Sequence, residues 1–212
     1  FPTRRSSDLM RNALLKCCNI DWSGISPAIF GSMFQSVMNK EERRNLGAHY
    51  TSEKNILKVI EPLFLDELWS EFENIKNNKN KLIEFQKKLS SLHFLDPACG
   101  CGNFLVITYR EIRLLELEII KAIHKSQQGV LNIDDLVLIN VDQMIGIEIE
   151  EFPARIAEVA MWLIDHQMNT LVGNSLGQYF LRLPLKKAAR IYNENALTLD
   201  WNQIQNNSKL NY

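Results

Sequence analysis

The stretch Leu92–Leu105, Leu-His-Phe-Leu-Asp-Pro-Ala-Cys-Gly-Cys-Gly-Asn-Phe-Leu, constrains this chain more than any other. Phe94 and Leu95 read as the apolar end of a short buried strand, which Asp96 and Pro97 stop. Gly100 and Gly102 tolerate positive φ and let a ligand approach the backbone closely. Asn103 is a good helix N-cap, and the apolar, helix-forming run from Phe104 to about Ile123 carries a long helix. Strand, glycine turn and helix N-terminus in succession form a ligand cradle. Free backbone N–H groups and the positive end of the helix dipole favour an anionic group there. In an open α/β sheet, ligands sit beyond the carboxyl ends of the strands.

Two common cradles are excluded by residue type. A phosphate-binding P-loop needs Gly-Lys-Ser/Thr after its glycines, and here Asn103-Phe104 follows Gly102. A dinucleotide fingerprint needs a third glycine where Leu105 stands, and an acidic residue about 20 residues further on, where this chain is still helical in pattern.

The 212 residues suffice for one domain with a sizeable core. With 46% hydrophobic and 23% charged residues, the composition is that of a folded domain rather than a disordered one. A net charge of −1 argues neither for nor against nucleic acid, because a basic patch can be local. No apolar run is long enough to span a bilayer, and the charged, polar N-terminus shows no secretory h-region. Cys17, Cys18, Cys99 and Cys101 have poor zinc spacing and no nearby His pair; they read as reduced thiols of a cytoplasmic protein. His93, His124 and His166 stand apart from any metal-ligand pattern and read as structural or surface residues.

Along the chain, residues 1–9 fit nothing downstream and read as an artefact left out of the fold. Residues 10–45 read as helical: Met10–Ile20 is amphipathic, Ser26-Pro27 opens a helix, and Ile29, Phe30, Met33, Phe34 and Val37 form a stripe that packs on the next domain. The charge run Glu41-Glu42-Arg43-Arg44 reads as a solvated face or a linker. Thr51 or Ser52 can cap the next helix, with apolar positions Ile56, Val59, Ile60, Leu63, Leu65 and Leu68. Asn77–Lys88 reads as a solvated, lysine-rich helix, and Ile133–Val141 as either a short helix or a strand. Met144–Ile147 is a second buried strand ending at Glu148, followed by a helix over Pro153–Met168. Asn169–Leu185 is less regular, with an extended part at Tyr179, Leu181 and Leu183; Ala189–Tyr192 is a third strand.

An acidic side chain at the carboxyl end of a second strand can accept hydrogen bonds from both ribose hydroxyls of a nucleoside, and Glu148 is placed for that. Ile149 can cover one face of an adenine ring. Read alone, Glu148 is no more than an acid at a strand end.

The string Asp-Pro-Ala-Cys-Gly-x-Gly-Asn-Phe at Asp96–Phe104 resembles the first motif of S-adenosylmethionine-dependent DNA adenine methyltransferases. Gly47-Ala48-His49-Tyr50-Thr51-Ser52 is similar to the Gly-x-x-Tyr-Thr-Pro segment that precedes it in that family, with Ser52 in place of Pro. The resemblance is fullest to the MmeI-like restriction-modification enzymes, and covers about Asp21 to Gln205. It is carried also by Asp21-Trp22, Ile25-Ser26-Pro27, Ile29-Phe30-Gly31, Gly177–Phe180 and Leu183–Lys187. It implies a Rossmann-like class I methyltransferase fold, a doubly wound and mostly parallel sheet, with residues 10–45 as a helical spacer and residues 46–212 as its N-terminal, cofactor-binding part. It also implies S-adenosylmethionine as cofactor. Asp96 would accept from the methionine amino group, and Pro97, Ala98, Gly100 and Gly102 would line the loop. Thr51 would hold the methionine end, Glu148 would take the ribose, Ile149 would cover the adenine, and Asn195 would bond the adenine amino group.

The same resemblance implies adenine N6 methylation of a specific duplex DNA site, with fused nuclease and target-recognition regions elsewhere. The family's catalytic tetrapeptide, Asp/Asn/Ser-Pro-Pro-Tyr/Phe, has no counterpart here: the sequence contains no Pro-Pro. The expectation is a fragment, inactive by itself, whose catalytic motif lies beyond Tyr212. Two other readings stay open from the residues alone. One is methylation of RNA or of protein glutamine; the other is a non-catalytic DNA-binding or specificity remnant.

Overall fold

The computed structural model describes residues 4–19, 25–26, 28–29, 51–124, 133–177 and 188–206. The expected stripe beyond Ile29, the Glu41–Arg44 linker, Gly47–Tyr50 and the Gln178–Lys187 segment lie outside the described residues.

Helix α1 (Arg4–Cys18) begins six residues before the expected start at Met10, so part of the segment set aside as an artefact is helical. The next helical stretch is α2 (Glu53–Ile60), a π turn (Glu61–Leu65) and α3 (Asp66–Ile75) in unbroken succession. Pro62 explains the π turn: it has no N–H to donate, and its ring displaces the carbonyl four residues back. Ser52 occupies the N-cap of α2, but through its backbone carbonyl; its side chain makes no capping bond. Ile56, Ile60, Leu65 and Leu68 are buried as their spacing requires, whereas Val59 and Leu63 face outward. Helix α4 (Lys79–Ser91) is capped by the Asn78 side chain, which accepts from the Lys81 N–H at 3.2 Å. It is not simply a solvated helix, because Leu82, Phe85 and Leu89 are buried.

Strand β1 (Phe94–Asp96) leads into α5 (Asn103–His124). One turn of helix, α6 (Ile133–Leu136), and a 3₁₀ turn at Val141–Gln143 resolve the ambiguous segment, with no strand there. Then come β2 (Met144–Glu148), α7 (Glu151–Ser175), β3 (Arg190–Asn193) and α8 (Trp201–Asn206). Helix α7 runs seven residues past the expected Met168, through the start of the segment expected to be irregular. Gly177, at φ 67°, follows its end.

The three strands form one parallel sheet in the order β1-β2-β3. The register sets Asp96 beside Gly146, and Glu148 beside Asn193. β1, at the edge of the described sheet, is not the buried strand expected, with Leu95 40% exposed and Phe94 half-buried; β2, between two parallel neighbours, is buried on both faces. Accordingly Met144 and Ile147 are fully buried, and Ile145 packs with Ile147, Ile204 of α8, Tyr192 and Leu199 on the face away from the main core. The main core is centred on α5, where Leu105, Val106, Ile107, Ile112, Leu115 and Ile119 are inaccessible or nearly so. A helix apolar on most of its circumference must be enclosed, and α2, α4, α7 and the sheet enclose it.

This buried helix also carries charge. Arg113 is fully buried, and its Nη1 donates to Tyr109 Oη at 2.7 Å and to Asp165 Oδ1 at 3.3 Å. Its Nη2 donates to Asn169 Oδ1 at 2.9 Å. Arg113 Nε lies 3.2 Å from Glu116 Oε2, close enough for ion pairing but not aligned as a hydrogen bond. Glu116 Oε1 accepts from the Leu138 and Ile139 N–H groups at 2.7 and 3.0 Å and from Gln86 Nε2 at 3.2 Å. The network thus ties α5 to α7, to α4 and to the segment that feeds β2. Burial works against the Arg113 charge, but Tyr109, Glu116 and Asp165 outweigh it and keep the guanidinium protonated above its usual range.

Candidate functional site

The site lies at the carboxyl ends of β1 and β2, where the loop 97–102 turns from strand to helix. Asp96 Oδ1 accepts from the Ala98 N–H at 3.1 Å, a local turn that sets the first corner; Pro97 and Ala98 are exposed. Cys99 then donates its N–H to the Ile147 carbonyl at 3.0 Å, which extends the pairing of the two strands into the loop. Next, Gly100 donates its N–H to Glu148 Oε2 at 2.8 Å. The other oxygen, Oε1, accepts from the Glu150 N–H at 2.9 Å. The loop amide that was expected to face an anionic ligand therefore already holds an anion, the chain's own Glu148 carboxylate.

The two loop glycines differ in purpose. Gly100 (φ +55°) has open space where a Cβ would stand, as a ligand-facing position needs. Gly102 (φ +80°) is buried, and a Cβ there would lie 3.0 Å from Ala157 Cβ. The close approach at Gly102 is therefore to α7, not to a ligand. Asn103 is the first residue of α5 rather than its cap: the Gly102 carbonyl takes the first helical bond, from Val106 N–H at 2.9 Å. Asn103 Oδ1 is buried with no hydrogen-bond partner.

The electrostatics follow from two carboxylates sharing one loop. Burial raises the Asp96 pKa, the Ala98 N–H partly offsets this, and the Glu148 charge raises it further. Burial likewise pushes the Cys99 thiol far up and, with Glu148 nearby, the Cys101 thiol up to about 11. Burial thus works against a thiolate at either cysteine.

The structure brings Asp96, Gly100 and Glu148 together. Ile149, immediately beyond Glu148, is 61% exposed and presents a free apolar surface. Asn195 belongs to the turn after β3, tied to the site through its neighbour: the Glu194 N–H donates to the Glu148 carbonyl at 3.1 Å. Asn195 Oδ1 accepts from Leu197 N–H at 2.9 Å. Thr51 is half-buried, just before the N-cap Ser52 of α2. That helix is anchored to α5 by Arg110, whose Nη2 donates to Glu53 Oε1 at 2.7 Å and draws the Glu53 pKa down. Two participants were not read from the sequence. A Cβ at Gly146 would sit 2.6 Å from Cys99 Sγ, so this glycine makes room for the loop; its place inside an apolar strand pattern was the signal. Asn193 Nδ2 donates to the Glu148 and Ile149 carbonyls, each at 2.9 Å.

A parallel sheet with a glycine loop and an acid at adjacent strand ends defines an α/β ligand-binding domain. Among known families, the one described as "MmeI, DNA-methyltransferase domain" matches residues 72–211. The chain belongs to this family. It is 39% identical over 196 residues to DNA methyltransferase A of Bacillus subtilis (strain 168), with 92% of this chain and 22% of the relative covered. A protein of Methanocaldococcus jannaschii described as "Putative type II restriction enzyme and methyltransferase" is 26% identical over 167 residues, covering 66% of this chain and 14% of that protein. Among solved structures, the type IIL restriction-modification enzyme MmeI in complex with DNA superposes with a TM-score of 0.88 at 64% identity, covering 95% of this chain and 27% of that one. The chain therefore spans about a quarter or less of the length of these relatives. Among the described residues no group of His, Cys, Asp and Glu could hold a metal, and no helix is long and apolar enough to cross a membrane.

Proposed function

We propose that this chain is the cofactor-binding part of a cytoplasmic, site-specific DNA methyltransferase of a bacterial restriction-modification system. It would transfer a methyl group from S-adenosylmethionine to adenine N6 in duplex DNA. On this reading β1-β2-β3 are one half of a doubly wound, Rossmann-like sheet. The observation that carries it is the junction of Asp96, Gly100 and Glu148 across two adjacent strand ends.

The residues fit the cofactor's chemistry. Two carboxylates stand at one loop, which suits a ligand bearing an ammonium and a sulfonium charge. Asp96 keeps a second oxygen, Oδ2, for the methionine amino group. Each Glu148 oxygen accepts one backbone bond and has further lone-pair capacity for a ribose hydroxyl. Ile149 offers its exposed side chain to one adenine face, and Asn195 Oδ1 has one lone pair left for the adenine amino group. Pro97, Ala98, Gly100 and Gly102 shape the loop, and Thr51 holds the methionine end. When bound, the cofactor supplies an electrophilic methyl group. The target amine is a weak nucleophile, its lone pair delocalised into the base, so presentation in line with the methyl is the main task. The base must be rotated out of the duplex first. Duplex DNA, a fused nuclease and target-recognition regions are assigned to the longer protein.

The test is titration of S-adenosylmethionine onto the intact protein and its Asp96→Ala and Glu148→Ala variants. Both substitutions are expected to abolish detectable binding, and wild-type-like curves for both would overturn the assignment. Transfer of labelled methyl groups to duplex DNA, against tRNA or protein acceptors, decides the substrate class.

A further inference from the structure

The carboxyl end of β2 is held by a residue that lies on neither ligand loop. The sheet ladder ends at Glu148, which pairs with Asn193, and the Ile149 carbonyl lies past its last rung. The Asn193 side chain reaches both: its Nδ2 carries two N–H groups and spends one on each of the Glu148 and Ile149 carbonyls, both at 2.9 Å. The Glu194 N–H adds a second donor to the Glu148 carbonyl at 3.1 Å. The peptide planes on both sides of the Ile149 Cα are thereby fixed from β3. The Ile149 side chain leaves the backbone between these anchors; the Glu148 side chain leaves it just before the first of them, and its carboxylate is fixed from the other side by Gly100 and Glu150.

We infer that Asn193 is a positioning residue that sets the Glu148 carboxylate and the Ile149 side chain for recognition of a ribonucleoside. The inference rests on the reading of Glu148 as the ribose ligand. It follows that Asn193 governs discrimination between ribose and 2′-deoxyribose, although it need not touch the ligand. An isosteric Asp at this position sets a carboxylate against two carbonyl oxygens. It cannot donate, and it repels both.

The test uses the intact protein and equilibrium binding of two probes, S-adenosylhomocysteine and its 2′-deoxy analogue. A hydroxyl bonded to a carboxylate supports about tenfold or more discrimination, so the wild type is expected to prefer the ribo form by at least that factor. In Asn193→Asp the ratio is expected to fall to within about threefold of unity, while the unfolding transition stays cooperative. Asn193→Ser, which keeps one donor, is expected to give an intermediate ratio, and it carries the test if the Asp variant does not fold. A folded Asp or Ser variant with the wild-type ratio overturns the inference and leaves the function standing. A wild type that binds both probes equally, or neither, overturns the ribose role of Glu148 and this inference with it.

Discussion

Gly146 is the position where fold and site are most tightly joined, and Gly146→Ala is the sharpest perturbation available. The new Cβ would lie 2.6 Å from Cys99 Sγ, 2.9 Å from Ile191 Cδ1 and 3.1 Å from Leu105 Cδ1. Overpacking a dense core costs about 1–3 kcal/mol, and two contacts under 3.0 Å put this change at the upper end, about 3 kcal/mol. The Ile191 and Leu105 atoms are terminal methyls that can swing aside. Cys99 cannot, because its N–H is pinned to the Ile147 carbonyl and its neighbour Gly100 is pinned to Glu148. Cys99→Ala alone removes a buried sulfur and costs about 1 kcal/mol. The double variant is expected to cost about 2 kcal/mol rather than the additive value of about 4, a coupling of about 2 kcal/mol. Urea unfolding of the four proteins, followed by circular dichroism, measures this cycle. Ligand titration on the same proteins is expected to weaken in Gly146→Ala and recover in the double variant, because the displaced loop carries Gly100 away from Glu148. Additivity to within about 0.5 kcal/mol, or a Gly146→Ala variant as stable as the wild type, would refute the packing argument.

Three further outcomes are expected. Gly102→Ala, with a φ of +80° and a Cβ 3.0 Å from Ala157 Cβ, should cost about 2 kcal/mol or more. Gly100→Ala carries only the backbone strain, about 1 kcal/mol, so urea midpoints in the reverse order would contradict the two roles. Arg113→Met leaves Glu116 and Asp165 buried without their cation and is expected to cost about 3–5 kcal/mol; adding Glu116→Gln and Asp165→Asn should restore part of it, and a thermal midpoint like the wild type's would exclude the network as a stabilising unit. Because burial raises the Asp96 pKa above 3.8, the folded state holds that proton more tightly than the unfolded chain, so stability drains away as pH rises from 3.8 through the raised value. Asp96→Asn should therefore be at least as stable as the wild type at pH 7 and converge with it below 3.8, while losing ligand; a less stable Asn variant at neutral pH would contradict this.

Much of this protein was legible along the chain because its signals are local. The succession Phe94–Gly102 announces strand, turn and helix through residue types that act within a few positions of one another, and β1, β2 and β3 lie where their apolar runs predict. Element ends were less legible. Helix α7 reaches Ser175 because Asn169 and Val172 are buried against the rest of the fold, a tertiary reason that local propensity does not carry. Asn103 reads as a cap, yet it is already the first residue of α5, whose first bond runs from the Val106 N–H to the Gly102 carbonyl.

What the sequence determined by itself was the kind of cradle and the acids that could furnish it. Asp96 and Glu148 were identifiable as strand-end carboxylates because each follows a short apolar run. Only the tertiary structure decided that they share one loop: parallel pairing sets Asp96 opposite Gly146, two residues before Glu148, so the Gly100 amide meets a carboxylate 48 positions away. It alone revealed that Gly146 yields space to Cys99, that Asn193 binds the carbonyls beside Glu148, and that the charges of Arg113, Glu116 and Asp165 meet inside an apolar helix pair. Apart from Arg113 and Glu116, one helical turn apart, those contacts join residues with no local relation, and the polar ones exist because burying polar groups far from water is tolerable only when each finds a partner.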